Sequence, residues 1–244
     1  MQVNKYEHIS KFYEMCLPGF WTPFKQLFEA KMPNLKFNLI DLGCGTGDAV
    51  HYLEDYIHFY KGVDHSPDMI EIAKHKFPSK DFVVGDILDY KHDNNIKYNI
   101  VLSAADTINH LLDKSYWDTF FDNAFDLLDM NGVFIFDMCT VNDHKNNWIN
   151  YVDVIEQPDY TWIRKCSFNY ENKLATTHNY FYILNTSNNL YSKEYDVINQ
   201  ISIETDEVIE MLKKHNFSNI SVYDLHSGKE VDDQTSVATF FCRK

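Results

Sequence analysis

The chain has 244 residues, enough to bury a substantial core as one large domain. Hydrophobic residues make up 45% and charged residues 24%, the balance of a soluble globular protein. A net charge of -14 repels a phosphate backbone, which argues against DNA or RNA and favours a cationic or amine-bearing small molecule as substrate. The five cysteines, Cys16, Cys44, Cys139, Cys166 and Cys242, are odd in number and lack C-x-x-C spacing, so free thiols in a reducing compartment are expected. With no N-terminal apolar segment ahead of a cleavage site and no apolar run of about 18 residues, the expected location is the cytoplasm, with no membrane partner. A monomer or a homodimer is compatible with this composition.

Within residues 1–30, Tyr6, Ile9, Phe12, Tyr13 and Met15 recur at helical spacing until Pro18-Gly19 breaks the run, and a second helix is expected from Pro23 to Ala30. Asn38–Leu42 reads as a strand, and the helix after it carries Val50, Leu53 and Ile57. A second strand, Tyr60–Asp64, precedes a helix over Met69–Lys76, capped by Ser66 with Pro67 at its first position. Phe82–Val84 and Tyr98–Ser103 are the next strands. The helix Ser115–Leu128 has a broad apolar face, and Asn131-Gly132 is expected to end it before a strand over Val133–Asp137. Strands alternating with helices imply a parallel sheet covered on both faces.

Beyond residue 150 the pattern becomes antiparallel. Tyr160–Tyr170, Leu174–Leu184 and Leu190–Ser202 alternate polar and apolar residues around turns at Glu171–Lys173 and Asn185–Asn189. Residues 151–202 read as an insertion, a substrate lid, within a single domain spanning 1–244. The first pattern then resumes: a helix over Asp206–His215, Asn216 as a left-handed cap, Phe217 as a packing residue, and strands Ile220–Leu225 and Val237–Cys242.

The densest signal is Asp41-Leu42-Gly43-Cys44-Gly45-Thr46-Gly47, where the first strand runs into a glycine turn. Glycines at alternate positions admit a ligand close to the backbone, and the turn is expected to aim free N–H groups at it. Asp64 ends the following strand, near the register of ~20 residues at which Rossmann-type folds set a carboxylate on a ribose. Dinucleotide sites read G-x-G-x-x-G, whereas the spacing here is G-x-G-x-G.

That stretch resembles motif I of class I S-adenosylmethionine-dependent methyltransferases, D-x-G-x-G-x-G. The order that follows (Asp64, Gly85-Asp86, Ser103–Leu111, Asn131–Asp137) is similar to a subgroup of small bacterial methyltransferases with an antiparallel sheet inserted after the fifth strand, which includes amino-sugar N-methyltransferases. Ser103–Leu111 is similar to that subgroup's D-S-x-N-Y-L segment, with His110 where Tyr is usual. The resemblance implies an α/β fold: a doubly wound, seven-strand Rossmann-like sheet with a small antiparallel β-sheet lid. It implies S-adenosylmethionine as cofactor. Asp41 would orient the turn, Gly43, Gly45 and Gly47 would cradle the amino-acid part, and Asp64 would accept from the ribose hydroxyls. His65 or Met69 would flank the adenine, Asp86 would accept from its amino group, and Ile87 would pack on the ring. Ser103 and Ala104 would lie beneath the methionine moiety, and Tyr13 would close over the cofactor.

Methyl transfer from a sulfonium requires chiefly alignment and exclusion of water, and an ammonium acceptor must first lose a proton. Candidate catalytic groups are His110, His178 and Tyr180, with Asp106, Asn109, Asp137, Cys139 and Tyr182 near the same cleft. His178, Tyr180 and Tyr182 share one strand face, a substrate wall if it points inward and a solvated surface if it points outward. No H-E-x-x-H or paired Cys/His spacing occurs, so no metal is expected. Ser103-Ala104-Ala105-Asp106 stands where adenine-N6 and glutamine-amide methyltransferases carry N/D-P-P-Y/F. The expected function is small-molecule methyl transfer, to an amine first and to oxygen second. A non-catalytic S-adenosylmethionine-binding regulator and an NAD-dependent oxidoreductase are the rivals.

Overall fold

A computed structural model describes residue 10 and residues 19–91 and 96–244. In chain order the elements are α1 (Trp21–Lys31), β1 (Phe37–Leu42), α2 (Asp48–Leu53), β2 (Ile57–Asp64), α3 (Pro67–Lys76), β3 (Asp81–Val84), β4 (Tyr98–Ser103), α4 (Lys114–Leu127), β5 (Leu128–Cys139) and α5 (Val141–Asn147). There follow β6 (Val152–Glu156), β7 (Tyr160–Asn169), β8 (Leu174–Asn185), β9 (Leu190–Ile201), α6 (Thr205–Lys214), β10 (Ser218–Asp224) and β11 (Val237–Arg243).

Seven strands form one sheet in the order β10-β11-β5-β4-β1-β2-β3. Its β1, β2, β3, β4 and β5 pairings are parallel, and β11 runs antiparallel to both β5 and β10. Because side chains alternate across a strand, each strand supplies both faces. Ile40, Val101, Phe134 and Phe136 join Trp117, Phe121, Val208 and Leu212 of α4 and α6, while Leu39, Ile100, Leu102 and Ile135 join Phe24, Phe28, Val50 and Ile70 of α1, α2 and α3. On the first face Phe136 stacks on its cross-strand partner Phe240, 4.5 Å between ring centroids.

Among the described residues the expected elements appear, with α5 (Val141–Asn147) as an unexpected helix and three further differences; Tyr6, Ile9, Phe12, Tyr13 and Met15 of the expected first helical run lie outside the described residues. Ile57 opens β2, because α2 stops at Leu53 and a 3₁₀ turn, Glu54–Tyr56, intervenes. The fifth strand begins at Leu128, directly after α4, so Asn131-Gly132 sits inside it. Asn131 takes φ 65°, and the pairing with β4 jumps from Tyr98↔Leu128 to Ile100↔Val133, a bulge of several residues. The inserted sheet has four antiparallel strands, β6-β7-β8-β9, where three were expected, the short edge strand Val152–Glu156 being the addition. Its turns use the expected Asn172, Asn185 and Asn188, joined by Asn169 at the end of β7: each side chain accepts a backbone N–H two residues on. Ser66 caps α3 with Pro67 at the first position, and Asn216 closes α6 at φ 66° while Phe217 N–H donates to the Leu212 carbonyl.

Candidate functional site

The glycine turn lies at the carboxyl end of β1, where β1 and β4 separate the flanking helices, the position at which open α/β sheets hold ligands. Gly43, Gly45 and Gly47 all have positive φ (83°, 51° and 84°). Two are also required sterically: a Cβ on Gly43 would lie 2.3 Å from Thr107 Cγ2, and one on Gly47 would lie 2.9 Å from Phe82 Cζ. The expected free N–H groups are absent at four turn positions. Gly43 and Cys44 donate to the Val63 carbonyl, Gly45 donates to Asp64 Oδ2 at 2.9 Å, and Gly47 donates to the Cys44 carbonyl. These N–H groups are spent on β2 and within the turn, and the carboxylates of Asp41 and Asp48 line the cavity beside it, the reverse of a pyrophosphate cradle.

The small cavity beside it is lined by Trp21, Asp41, Gly43, Cys44, Asp48 and Ala104. Asp41 is buried with its Oδ2 held by the Tyr60 hydroxyl at 2.8 Å, and burial pushes its pKa up to about 7. Asp64 is buried, and its oxygens accept from Ser66 N–H and Gly45 N–H; burial raises its pKa while those bonds and His65 oppose the shift. Carboxylates starved of solvent around a narrow cavity suit a cationic ligand. The ammonium and sulfonium of S-adenosylmethionine fit that donor set, and Asp64 keeps lone pairs for ribose hydroxyls.

Other predicted cofactor residues are distributed unevenly. Met69 is buried on α3, with its N–H capped by Ser66, and His65 is exposed, its Nδ1 3.6 Å from Asp64 Oδ1. Asp86 is exposed and closes a local turn by accepting Leu88 N–H; Ile87 is half-buried against the core, with its carbonyl taken by Asn123. The Ser103 hydroxyl donates to the Leu42 carbonyl, tying β4 to β1, and Ala104 borders the cavity. Tyr13 lies outside the described residues.

After β4 the chain makes two successive left-handed steps, Ala105 (φ 59°) and Asp106 (φ 52°). Asp137, at the end of β5, clamps both: Oδ1 accepts Ala105 N–H at 2.7 Å and Oδ2 accepts Asp106 N–H at 2.9 Å. The Asp106 carboxylate then meets the inserted sheet, where Gln200 Nε2 of β9 donates to its Oδ2, as does the Cys139 thiol at the end of β5. Gln200 also donates to His110 Nε2 at 3.1 Å and accepts from His144 Nε2 at 3.2 Å, and the Ser202 hydroxyl pairs with His144 Nδ1. This chain of bonds fixes His144 as its Nε2–H tautomer and leaves the Nδ1–H of His110 for the Asn199 backbone.

The three expected catalytic groups therefore do not converge. His110 has both ring nitrogens engaged, and burial lowers its pKa to about 3, so it is a neutral bracket between the turn after β4 and β9 with no lone pair to spare. His178 and Tyr180 stand on the opposite face of the inserted sheet from Gln200. His178 Nδ1 pairs with the Tyr195 hydroxyl at 2.5 Å, and the Tyr180 ring packs on Tyr195 with Lys165 and Lys193 above it. The inner face carries their neighbours instead. Asp153, Arg164, Asn179 and Asp196 lie in register across β6 to β9, flanked by the stacked rings of Trp162 and Phe181. The alternation was readable in the sequence; which half faces inward is decided by the attachment at Gln200. Gln200 itself was missed, since a glutamine on an alternating strand carries no local signal. Cys139, Asp143 and His144 bring one ligand atom each within 4.8 Å of one another, but the Asp143 and His144 atoms are already hydrogen-bonded to Asn147, Trp148, Ser202 and Gln200.

Comparison with known proteins bears on the fold. Residues 39–132 match the methyltransferase-domain family. The methyltransferase-named protein YqeM of Bacillus subtilis is 25% identical over 81% of this chain and 78% of its own length. The crystal structure of an S-adenosylmethionine-dependent methyltransferase from Clostridium acetobutylicum superposes with a TM-score of 0.83 at 20% identity, covering 98% of both chains. The sugar N-methyltransferase KedS8 from Streptoalloteichus gives 0.76 at 14% identity, covering 100% of this chain and 95% of that one. The fold is that of the class I methyltransferases. The methyltransferase domain matched over residues 39–132 and the methyltransferase-named relatives support S-adenosylmethionine-dependent methyl transfer.

Proposed function

We propose that the chain methylates an amine nitrogen on a small molecule in the cytoplasm, with the inserted sheet acting as a lid over the acceptor. The observation that carries this reading is the small cavity lined by Asp41 and Asp48 and ending at Ala104 and Ala105, with Asp64 held at the glycine turn and Asp106 next in the chain after Ala105, an acidic setting that suits cations. KedS8, described as a sugar N-methyltransferase, supports an amine on a polar small molecule as acceptor. The net charge of -14 supports a substrate other than nucleic acid.

When bound, S-adenosylmethionine supplies a methyl group already activated on sulfur. The protein's share is binding and alignment. Asp64 would hold the ribose, Gly43, Gly45 and Gly47 would admit the amino-acid part, Asp41 would balance its ammonium, and Ala104 would floor the cavity. Met69 and Ile87 would line the adenine side, with Asp86 and His65 at its exposed rim. Trp162, Phe181 and the polar row ending at Asp196 would form the lid's inner wall.

Calorimetry with S-adenosylmethionine, S-adenosylhomocysteine and NAD tests this. Micromolar binding of the first two, abolished in Asp64→Ala, with no NAD binding, is expected. NAD binding in their place would overturn the assignment. Transfer of labelled methyl to a panel of amines, amino sugars and matched alcohols then separates nitrogen from oxygen acceptors, and label appearing in alcohols alone would reject the amine reading.

A further inference from the structure

The geometry points to Asp106 as the catalytic carboxylate of this cleft, the group that contacts the acceptor nitrogen and takes its proton. This rests on the methyltransferase reading above and goes beyond it by naming the base.

Three observations carry it. The first is position. Ala104 and Ala105 border the cavity beside the glycine turn, and Asp106 is the next residue, at the seam between that cavity and the inserted sheet. The second is backbone shape. Two consecutive non-glycine residues in the left-handed region are costly, and here both are held there by the bidentate clamp of Asp137. A plain turn would use glycine or asparagine; this arrangement fixes where the Asp106 side chain points. The third is the division of its oxygens. Oδ2 is held by Gln200 and by the Cys139 thiol, while Oδ1 has no hydrogen-bond partner among the described residues, and the residue is only partly buried. One oxygen anchors the carboxylate and the other is available to a ligand.

The groups facing it are Asp137 and Cys139 of β5, Asp143 and His144 of α5, His110 of its own turn and Gln200 of β9. None of these is a cation in this arrangement: burial keeps both histidines neutral, and raises the thiol and the Asp137 carboxyl. A positive charge is therefore missing from the seam, and a protonated amine would supply it.

The step balances without another reactant. The acceptor's ammonium passes one proton to Asp106 Oδ1. The freed lone pair forms the new nitrogen–carbon bond, and the methyl's bond to sulfur breaks with its electron pair remaining on sulfur. The Asp106 proton is then lost to solvent.

Sinefungin, which carries an amine where the transferable methyl group sits, probes this contact without a known acceptor. Its affinity is compared with that of S-adenosylhomocysteine, which lacks the amine, for the wild type, Asp106→Asn and Asp106→Ser, with melting temperature as the folding control. The wild type should prefer sinefungin by about 10-fold or more, the worth of a charge-assisted bond, and both variants should lose that preference while retaining S-adenosylhomocysteine affinity. A preference that survives in both variants, or is missing from the wild type, overturns the role of Asp106 alone. Failure of both ligands to bind the wild type overturns the cofactor reading itself. If Asp106→Asn unfolds, Asp106→Ser supplies the comparison, and the wild-type preference decides should both unfold.

Discussion

The Tyr60 hydroxyl reaches across from β2 to donate to Asp41 Oδ2 of β1, the one hydrogen bond to that carboxylate among the described residues. Burial outweighs this bond and, with Asp64 and Asp48 nearby, holds the Asp41 pKa near 7. A cation in the cavity favours the ionised form, so cofactor affinity should rise from pH 6 to pH 8, by up to about 10-fold per unit below that pKa. The linkage has the opposite sign for folding. A carboxyl whose pKa is raised in the folded state withdraws stability as pH climbs from 3.8 through about 7. Calorimetry of S-adenosylhomocysteine at three pH values should show the rise in the wild type and a flat profile in Asp41→Asn.

Gly43 faces Thr107 at a distance that no side chain tolerates. Gly43→Ala should cost about 2–3 kcal/mol, from the left-handed backbone and the overlap with Thr107 together. Adding Thr107→Ser removes the nearest methyl group and should recover part of that loss, leaving the backbone share. Urea denaturation of the two singles and the double reads the coupling, and strict additivity would show that the clash is relieved elsewhere.

The two faces of β8 should respond differently. His178→Ala and Tyr180→Ala, on the outer face, should change stability by less than about 1 kcal/mol. Trp162→Ala, whose indole N–H bonds to Asn179 Oδ1 and whose ring stacks on Phe181 under the inner face, should cost about 3–5 kcal/mol. Chemical denaturation followed by circular dichroism ranks the three.

His215 joins α6 to α4 through Asp122 at 2.6 Å and Asp118 at 2.8 Å. Burial pulls its pKa down, and the two carboxylates overcome this to raise it. Its stabilisation is therefore complete below the ordinary histidine value and fades as pH rises through the raised one. The contact is near the surface, so the difference between wild type and His215→Gln should be a few tenths of a kcal/mol at pH 6 and vanish by pH 9.

Local signals carried most of the fold. Ser66-Pro67, Asn216 and the hairpin asparagines work through bonds to their own neighbours, so sequence order contains the answer. The glycine turn was legible for the same reason, although its N–H groups proved to be spent on Val63 and Asp64, partners fixed only when β1 and β2 pair. What stayed hidden was long-range. Gln200 is 94 residues from Asp106, and nothing near it announces the meeting. The inner face of β8 is chosen by that same attachment, so His178 and Tyr180 could be grouped correctly and still be assigned to the wrong side.

Among the described residues, the inserted sheet is fastened to the large one at the Gln200–Ile201 end of β9. Gln200 grips Asp106, and the Asn109 amide grips the Ile201 carbonyl, while the β8–β9 turn at Asn185–Leu190 lies a strand's length away, exposed and, among the described residues, bonded within itself. Such a tongue gives evolution an unequal terrain. Residues added or exchanged at its tip leave the paired register behind them intact, so the reach and lining of the acceptor pocket can drift from one descendant to the next. A single insertion between the tip and the root would turn every inward side chain outward, and selection should hold that stretch to a constant length.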